Sequence, residues 1–121
     1  MGKLILVVED QEDNRRILRD LLTSADYDLV EASNGEEALA AMTRGRPDLI
    51  LMDIQLPVMD GYEATRRIKA DPASASIPII AVTSYALSGD EAKARAAGCD
   101  DFVPKPYSPR QLLAKIRKYL P

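Results

Sequence analysis

The segment LILMDIQLPVMDGYE, residues 49–63, runs from a short apolar stretch directly into a carboxylate and then into a loop. Leu49–Met52 is apolar without alternation, which is typical of a parallel strand covered on both faces. Asp53 follows at once, and burying a carboxylate is unfavourable unless it meets a cation or hydrogen-bond donors. Asp60 stands three residues before Glu63, a spacing that predicts the start of a helix. The segment therefore predicts a strand, a loop and a helix, with an acid where the strand ends.

Short apolar runs of the same kind recur along the chain. The predicted strands are Leu4–Val8, Leu29–Val30, Leu49–Met52, Ile77–Val82 and Phe102–Val103. The second and the fifth are short and bordered by acids, which favours positions nearer the edge of a sheet.

Amphipathic segments separate these runs and predict helices. Their apolar stripes are Ile17, Leu18, Leu21 and Leu22; Ala38, Leu39 and Met42; and Leu112, Leu113, Ile116 and Leu120. Capping signals agree: SNGE at 33–36, DGYE at 60–63 and SPRQ at 108–111 predict helix starts, and Gly98 predicts a helix end. Five strand–helix units with short connections predict an α/β fold, a doubly wound parallel sheet with helices on both faces, in one domain over residues 1–121.

Composition excludes several classes of function. The net charge of −3 and the pI of about 5.0 argue against a general nucleic-acid or membrane-surface binder. The apolar run near the start is too short for a signal peptide or a membrane span, and the lone Cys99 fits a reducing cytoplasm. The chain has no histidine, so histidine-based metal sites and catalytic triads are excluded. Any acid–base or metal chemistry must use carboxylates, lysine, tyrosine or hydroxyls.

Polar residues stand where four of the predicted strands end: Glu9 and Asp10, Asp53, Thr83 and Lys105. The carboxyl ends of parallel strands share one edge of a sheet, where open α/β sheets bind ligands. We therefore expect these residues to converge in one cleft. Singly, each has an ordinary explanation, such as capping the next helix or ending a strand, but their conjunction favours a functional site.

The expected chemistry is phosphoryl transfer with a divalent cation. Three close carboxylates repel one another, and Mg²⁺ (or Mn²⁺) would remove that repulsion. Lys105 can neutralise a phosphate oxygen, Thr83 can donate a hydrogen bond to another, and an aspartate can act as the nucleophile.

The sequence resembles the CheY-like receiver domain of two-component response regulators, of the stand-alone type, over nearly its whole length. The matching segments are LVVEDQEDNRRIL, DLILMDIQLPVMDGYE, IPIIAVTSYA and DDFVPKPYSPRQLL. This resemblance implies a flavodoxin-like sheet with strand order 2-1-3-4-5, the order that the chemotaxis receiver exemplifies.

The same resemblance implies a role for each site residue. Asp53 would be the phosphorylated aspartate, with Thr83 and Lys105 contacting the phosphoryl group, the latter before a cis Lys105–Pro106 bond. Asp10, Asp53 and the backbone carbonyl of Gln55 would bind Mg²⁺ directly, with Glu9 acting through a metal-bound water.

Several neighbouring residues have both an ordinary and a functional interpretation. Phe102 would be the rotameric switch aromatic or ordinary core. The side chains two residues after Asp53 and Thr83, Gln55 and Tyr85, would tune the lifetime of the phosphoryl group. Arg15 and Arg16 are expected on a solvated helix face.

The predicted function is a cytoplasmic phosphoacceptor switch. A histidine kinase or histidine phosphotransfer protein would supply the phosphoryl group, and a surface over residues of about 85–120 would bind a target protein. No direct contact with nucleic acid or membrane is expected, and the chain would be a monomer or a phosphorylation-dependent dimer. It would not be an enzyme beyond its own phosphorylation and dephosphorylation.

Alternatives remain open at this stage. The chain could be a receiver excised from a hybrid kinase or a longer regulator. An aspartyl-phosphate phosphatase would want an acid two residues after Asp53, where Gln55 stands. A flavin-binding module would want a phosphate loop after the first strand, where EDQEDN is anionic.

Overall fold

The computed structural model describes residues 3–83 and 90–121, which form five strand–helix units. The elements are β1 Leu4–Val8, α1 Glu12–Ser24, β2 Asp28–Ala32, α2 Gly35–Met42, β3 Leu49–Asp53, α3 Gly61–Ala70, β4 Ile79–Thr83, α4 Asp90–Ala97, β5 Asp101–Pro104 and α5 Pro109–Tyr119. All strand pairings are parallel, and the strand order is β2-β1-β3-β4-β5. The predicted fold class and strand order are confirmed, with β2 and β5 at the edges.

The two faces of the sheet carry separate apolar cores. Ile5 and Val7 of β1 pack with Leu18 of α1 and Ile116 of α5 on one face. Leu6, Val8 and their neighbours pack on the other face against residues from α2, α3 and α4, including Ala38, Ala64, Ile68 and Ala94. This division follows from the alternation of side chains along each strand. Because both faces are covered, the central strands β1, β3 and β4 are apolar until their carboxyl ends, whereas the edge strand β2 alternates between exposed and less exposed positions.

The strand before Thr83 begins later than predicted. Ile77 is buried, but its amide donates to the carbonyl of Ser74 in the preceding turn. Pro78 has no amide hydrogen to offer to the ladder. The strand therefore begins at Ile79 and ends on Thr83 itself.

Most predicted helix signals are confirmed, and one is shifted. Asp60 caps α3, Ser108 forms a capping box with Gln111, and Gly98 follows α4 with a φ of 116°. The cap of α2 is Asn34 rather than Ser33, because the Asn34 side chain accepts from the amide of Glu37. In the described part of the chain, no helix is long and apolar enough to cross a membrane.

Candidate functional site

The predicted site residues meet at the carboxyl edge of the sheet. Glu9 directly follows β1, Asp53 ends β3, and Lys105 directly follows β5. The Lys105 Nζ atom lies 3.0 Å from Oε1 of Glu9 and 3.2 Å from Oδ2 of Asp53. Lys105 thus bridges two carboxylates that are 44 residues apart in the chain (53−9).

Asp53 is nearly enclosed, with only 5% of its surface exposed. The amide of Gln55 donates to its Oδ1 at 3.0 Å, and Lys105 reaches its Oδ2. These partners are the hydrogen-bond donor and the cation that a buried carboxylate requires. Both oxygens are held in place at the end of a central strand, which suits a group that must meet a reactant in one geometry.

Carboxylate oxygens of Glu9, Asp10 and Asp53 lie within 4.8 Å of one another. Burial raises the pKa of Asp10, and the neighbouring Glu9 raises it further. A close cluster of hard carboxylate oxygens fits a divalent cation such as Mg²⁺. Gln55, whose backbone oxygen was predicted as a further ligand, is half-buried in the loop after β3.

Lys105 stays charged in this site. Its burial alone would lower its pKa, but the bonds to Glu9 and the charge of Asp53 outweigh burial, so the pKa of Lys105 is raised. The Lys105–Pro106 bond is cis, as the resemblance implied. A permanently cationic Nζ beside Asp53 can neutralise an anionic oxygen brought to that carboxylate.

The two proposed switch residues lie on neighbouring strands. Thr83 is fully buried, and the Gln55 Nε2 atom approaches its Oγ1 to 3.5 Å. Phe102 is buried in the core on the face of α2, α3 and α4, opposite Ala81 in the pairing of β4 with β5. Tyr85 lies outside the described residues. The sequence allowed two interpretations of Phe102, a core residue or a switch residue. Its burial in this cluster agrees with the first, and the switch role stays a prediction.

A cleft of about 700 Å³ opens beside Asp53 between α1 and the loop after β5. Its walls are largely apolar, with Leu18 and Leu21 of α1, Pro106 and Tyr107 of the loop, and Glu9, Asp53 and Lys105 at its polar end. Ile17, also on the wall, is 59% exposed. An apolar cleft with a few convergent polar groups at one end is typical of a binding site.

Arg15 is the site residue that sequence reasoning misplaced. Arg16 is exposed as expected, but the Arg15 side chain is only 16% exposed, and its Nη1 donates to the backbone oxygen of Glu9 at 2.7 Å. The signal lay in the helical spacing, because Arg15 and Arg19 follow Glu12 by three and seven residues on one face of α1. That face is turned towards Glu31 of β2.

A five-stranded 2-1-3-4-5 parallel sheet with an acidic carboxyl edge and a lysine beside it defines a doubly wound α/β domain with a polar site at that edge, and comparison with known proteins gives its family. The chain belongs to the response regulator receiver domain family, whose model matches residues 5–117.

Curated relatives match over almost their full length. The polar-differentiation response regulator DivK of Brucella anthropi is 43% identical over 120 residues, covering 99% of this chain and 98% of that protein. DivK of Brucella ovis is 42% identical with the same coverage.

Solved structures agree. The receiver domain of the sensor histidine kinase PA1611 from Pseudomonas aeruginosa, with a magnesium ion coordinated in its active site cleft, is 38% identical with a TM-score of 0.93, over 99% of this chain and 98% of that one. The chemotaxis response regulator CheY4 of Vibrio cholerae is 27% identical with a TM-score of 0.92, over 98% and 99% of the two chains. The family resemblance drawn from the sequence is confirmed.

Proposed function

We propose that this chain is a phosphoacceptor switch in which Asp53 receives a phosphoryl group from a phosphohistidine. The observation that carries the proposal is the nearly enclosed Asp53 carboxylate, 3.2 Å from the Lys105 ammonium and beside the oxygens of Glu9 and Asp10. Family membership supports it. The proposed donor histidine, on a histidine kinase or a histidine phosphotransfer protein, lies outside this sequence, which contains no histidine.

In the transfer step, an Asp53 carboxylate oxygen attacks phosphorus in line with the nitrogen of the donor imidazole. The O–P bond forms as the N–P bond breaks, and the electron pair returns to the imidazole nitrogen, which takes up a proton. Lys105 neutralises charge on a phosphoryl oxygen, and the Thr83 hydroxyl donates to another.

The acidic cluster is the proposed place of Mg²⁺ or Mn²⁺. Asp10, Asp53 and the backbone oxygen of Gln55 would hold the ion directly, and Glu9 would act through a bound water. When bound, the ion supplies positive charge for the carboxylates and for the incoming phosphoryl oxygens. The PA1611 receiver, which has magnesium in its active site cleft, supports this assignment.

The cleft beside Asp53 supports docking of a protein donor. A histidine on a partner must come within bonding distance of a nearly buried carboxylate, so the partner has to pack closely around the mouth of the site. The apolar walls and the exposed Ile17 offer that contact. Gln55, half-buried in the loop after β3, and Tyr85 are proposed to set how fast water removes the phosphoryl group.

The proposed output is a change of surface near α4, β5 and α5. A phosphoryl group on Asp53 would draw in Thr83, and Phe102 on the adjacent strand would repack. A target protein would read this surface, and the chain itself would be a monomer or a phosphorylation-dependent dimer in the cytoplasm. The adjacency of β4 and β5 supports this route.

Substitution of the acceptor tests the proposal. The purified protein is incubated with Mg²⁺ and either acetyl phosphate or a phosphorylated histidine kinase, and its intact mass is measured. We expect the wild type to gain the mass of one phosphoryl group and Asp53→Asn to gain none, because the amide is not a nucleophile.

Asp60→Asn is the matched control, since it removes the same charge seven residues later and asparagine caps a helix as well as aspartate does. It should be labelled like the wild type. Undiminished labelling of Asp53→Asn, or an unlabelled wild type with both donors, would contradict the assignment.

A further inference from the structure

We propose that Arg15 is a positioning residue, which orients the Glu9–Asp10 peptide and so places the Asp10 carboxylate for the divalent cation. This inference rests on the metal site of the proposed function. Arg15 lies in the first turn of α1, and its Nη1 donates to the Glu9 backbone oxygen at 2.7 Å. A guanidinium is not itself a metal ligand, so Arg15 must act through the acids beside it.

The Arg15 guanidinium is held from two further sides. Its Nη2 donates to Glu12 one turn away, and its Nε lies 3.4 Å from Oε1 of Glu31 on β2. Arg19 in turn holds Glu31 with two bonds, at 2.7 and 2.8 Å. A planar guanidinium with several fixed acceptors has little rotational freedom left, so its Nη1 is aimed at one place.

The acceptor of this Nη1 bond is the backbone oxygen of Glu9, which belongs to the peptide unit that leads into Asp10. The Glu9 amide already donates to the carbonyl of Ala32 at 3.0 Å, and the Glu9 side chain is held by Lys105 and by the amide of Gln11. The bond from Arg15 adds a restraint on the carbonyl. Because the peptide unit is planar, fixing the Glu9 oxygen also fixes the direction in which the chain enters Asp10.

The consequence is a site whose geometry is set before the cation arrives. Residues that orient metal ligands contribute to affinity although they do not touch the metal, and their loss typically weakens binding by a factor of about 10–100. Arg15 also faces away from solvent, with its side chain 16% exposed, whereas the adjacent Arg16 is 60% exposed.

Calorimetric titration with Mg²⁺ tests the inference. Arg15→Met keeps the length of the side chain without its donors, and we expect it to weaken Mg²⁺ binding by roughly 10-fold or more relative to the wild type. Arg15→Lys keeps the positive charge but has a single donor nitrogen in place of the guanidinium, and it should recover part of the loss.

Two control variants separate positioning from charge and from stability. Arg16→Met removes the same charge from the next position, where the side chain pairs only with Asp13 among the bonds described, and should change the affinity by less than about 2-fold. Arg19→Met removes the bidentate partner of Glu31 but leaves the bond from Arg15 to Glu9, so it should lower the thermal midpoint while weakening Mg²⁺ binding less than Arg15→Met does.

NMR spectroscopy of the metal-free protein tests the contact between Arg15 and the Glu9 carbonyl directly. In the metal-free protein, the carbonyl ¹³C resonance of Glu9 and the exchange rate of the Asp10 amide should change in Arg15→Met and stay unchanged in Arg16→Met. If the wild type binds Mg²⁺ and Arg15→Met binds it equally tightly, the positioning role is overturned. An unchanged Glu9 resonance in Arg15→Met overturns it as well. A wild type that binds no Mg²⁺ overturns the proposed metal site instead, while the Glu9 resonance still reports on the link.

Discussion

Gly61 begins α3 at a point where the chain passes against the backbone of β3, the strand that ends on Asp53. Its amide donates to the carbonyl of Ile54 at 3.0 Å. A Cβ at this position would collide with the carbonyl oxygen of Asp53 and would lie 2.7 Å from the Cα of Ile54. The obstacles are backbone atoms, which cannot rotate away as a side chain can. The glycine therefore allows α3 to start close to Asp53. Replacing Gly61 by any larger residue must displace either the start of α3 or the backbone of Asp53.

Gly61→Ala should consequently damage both stability and acceptor function. Overpacking of this kind typically lowers the free energy of unfolding by about 1–3 kcal/mol, and displacement of the Asp53 backbone should slow phosphorylation by acetyl phosphate. Urea denaturation and the rate of mass gain measure the two effects. Gly45→Ala is the control, because a Cβ there meets nothing within 4 Å. Equal behaviour of the two variants would contradict this role of Gly61.

At the scale of elements, β5 and α5 are joined by a buried carboxylate at the edge of the sheet opposite the site. Asp101, the first residue of β5, accepts from Lys115 Nζ at 2.8 Å, from the Tyr119 hydroxyl at 3.2 Å and from the amide of Phe102 at 2.9 Å. Burial by itself would raise the pKa of Asp101, but the bond from Lys115 and the other donors outweigh it and lower the pKa. This cluster holds α5 against the strand on which the proposed switch residue Phe102 lies.

The lowered pKa of Asp101 fixes the sign of a pH dependence. Because the folded state binds this proton less tightly than the unfolded state, the stabilisation is fully present well above the ordinary carboxyl pKa of 3.8. It is lost as the pH falls from there through the lower pKa of the folded state. We expect Asp101→Asn to lower the free energy of unfolding at pH 7 by roughly 1.5–3 kcal/mol, the range for hydrogen bonds to charged groups.

Urea denaturation at several pH values checks this. The difference between the wild type and Asp101→Asn should be constant at neutral pH and should shrink below about pH 4. Asp20→Asn, at an exposed position of α1, should change stability by no more than about 0.5 kcal/mol at any of these pH values. A difference that persists undiminished in acid would refute the assignment of this pH dependence to Asp101.

The whole molecule is a sheet with two covered faces and one polar edge, so its core and its chemistry are spatially separate. Apolar side chains from both faces stabilise the fold, whereas the carboxyl edge gathers three carboxylates, where burial raises the pKa of Asp10 and the neighbouring Glu9 raises it further. A cation bound to this edge should therefore stabilise the entire domain, because it binds the folded arrangement and not the unfolded chain.

Mg²⁺ should accordingly raise the midpoint of thermal unfolding. At 100 times the dissociation constant, one bound ion adds about 2.7 kcal/mol to the free energy of unfolding. Calorimetry or circular dichroism can follow the shift, with NaCl at matched ionic strength as the reference and EDTA to reverse it. Asp10→Asn should show a much smaller shift, and Asp20→Asn the full one. A shift of equal size in all three proteins would point to a general salt effect.

Much of the fold was predictable because it depends on local pattern. Unbroken apolar runs such as Leu49–Met52 identified buried parallel strands, and the polar residues after them had to share an edge, since all parallel strands end on the same side. Helix starts at Asp60 and Ser108 followed from spacing. The start of β4 did not, because the amide of Ile77 is used by a turn before Pro78.

By itself, the sequence determined the succession of strands and helices along the chain and the set of chemical groups at the carboxyl edge, and the resemblance it carries supplied the strand order and the family. Only the tertiary structure decided which groups touch. Lys105 meets Glu9 across 96 residues of chain, and Arg15 turns from solvent to the Glu9 carbonyl because Glu31, on a neighbouring strand, holds it there. Such contacts depend on the register and orientation of packed elements, which helical and strand periodicity do not specify.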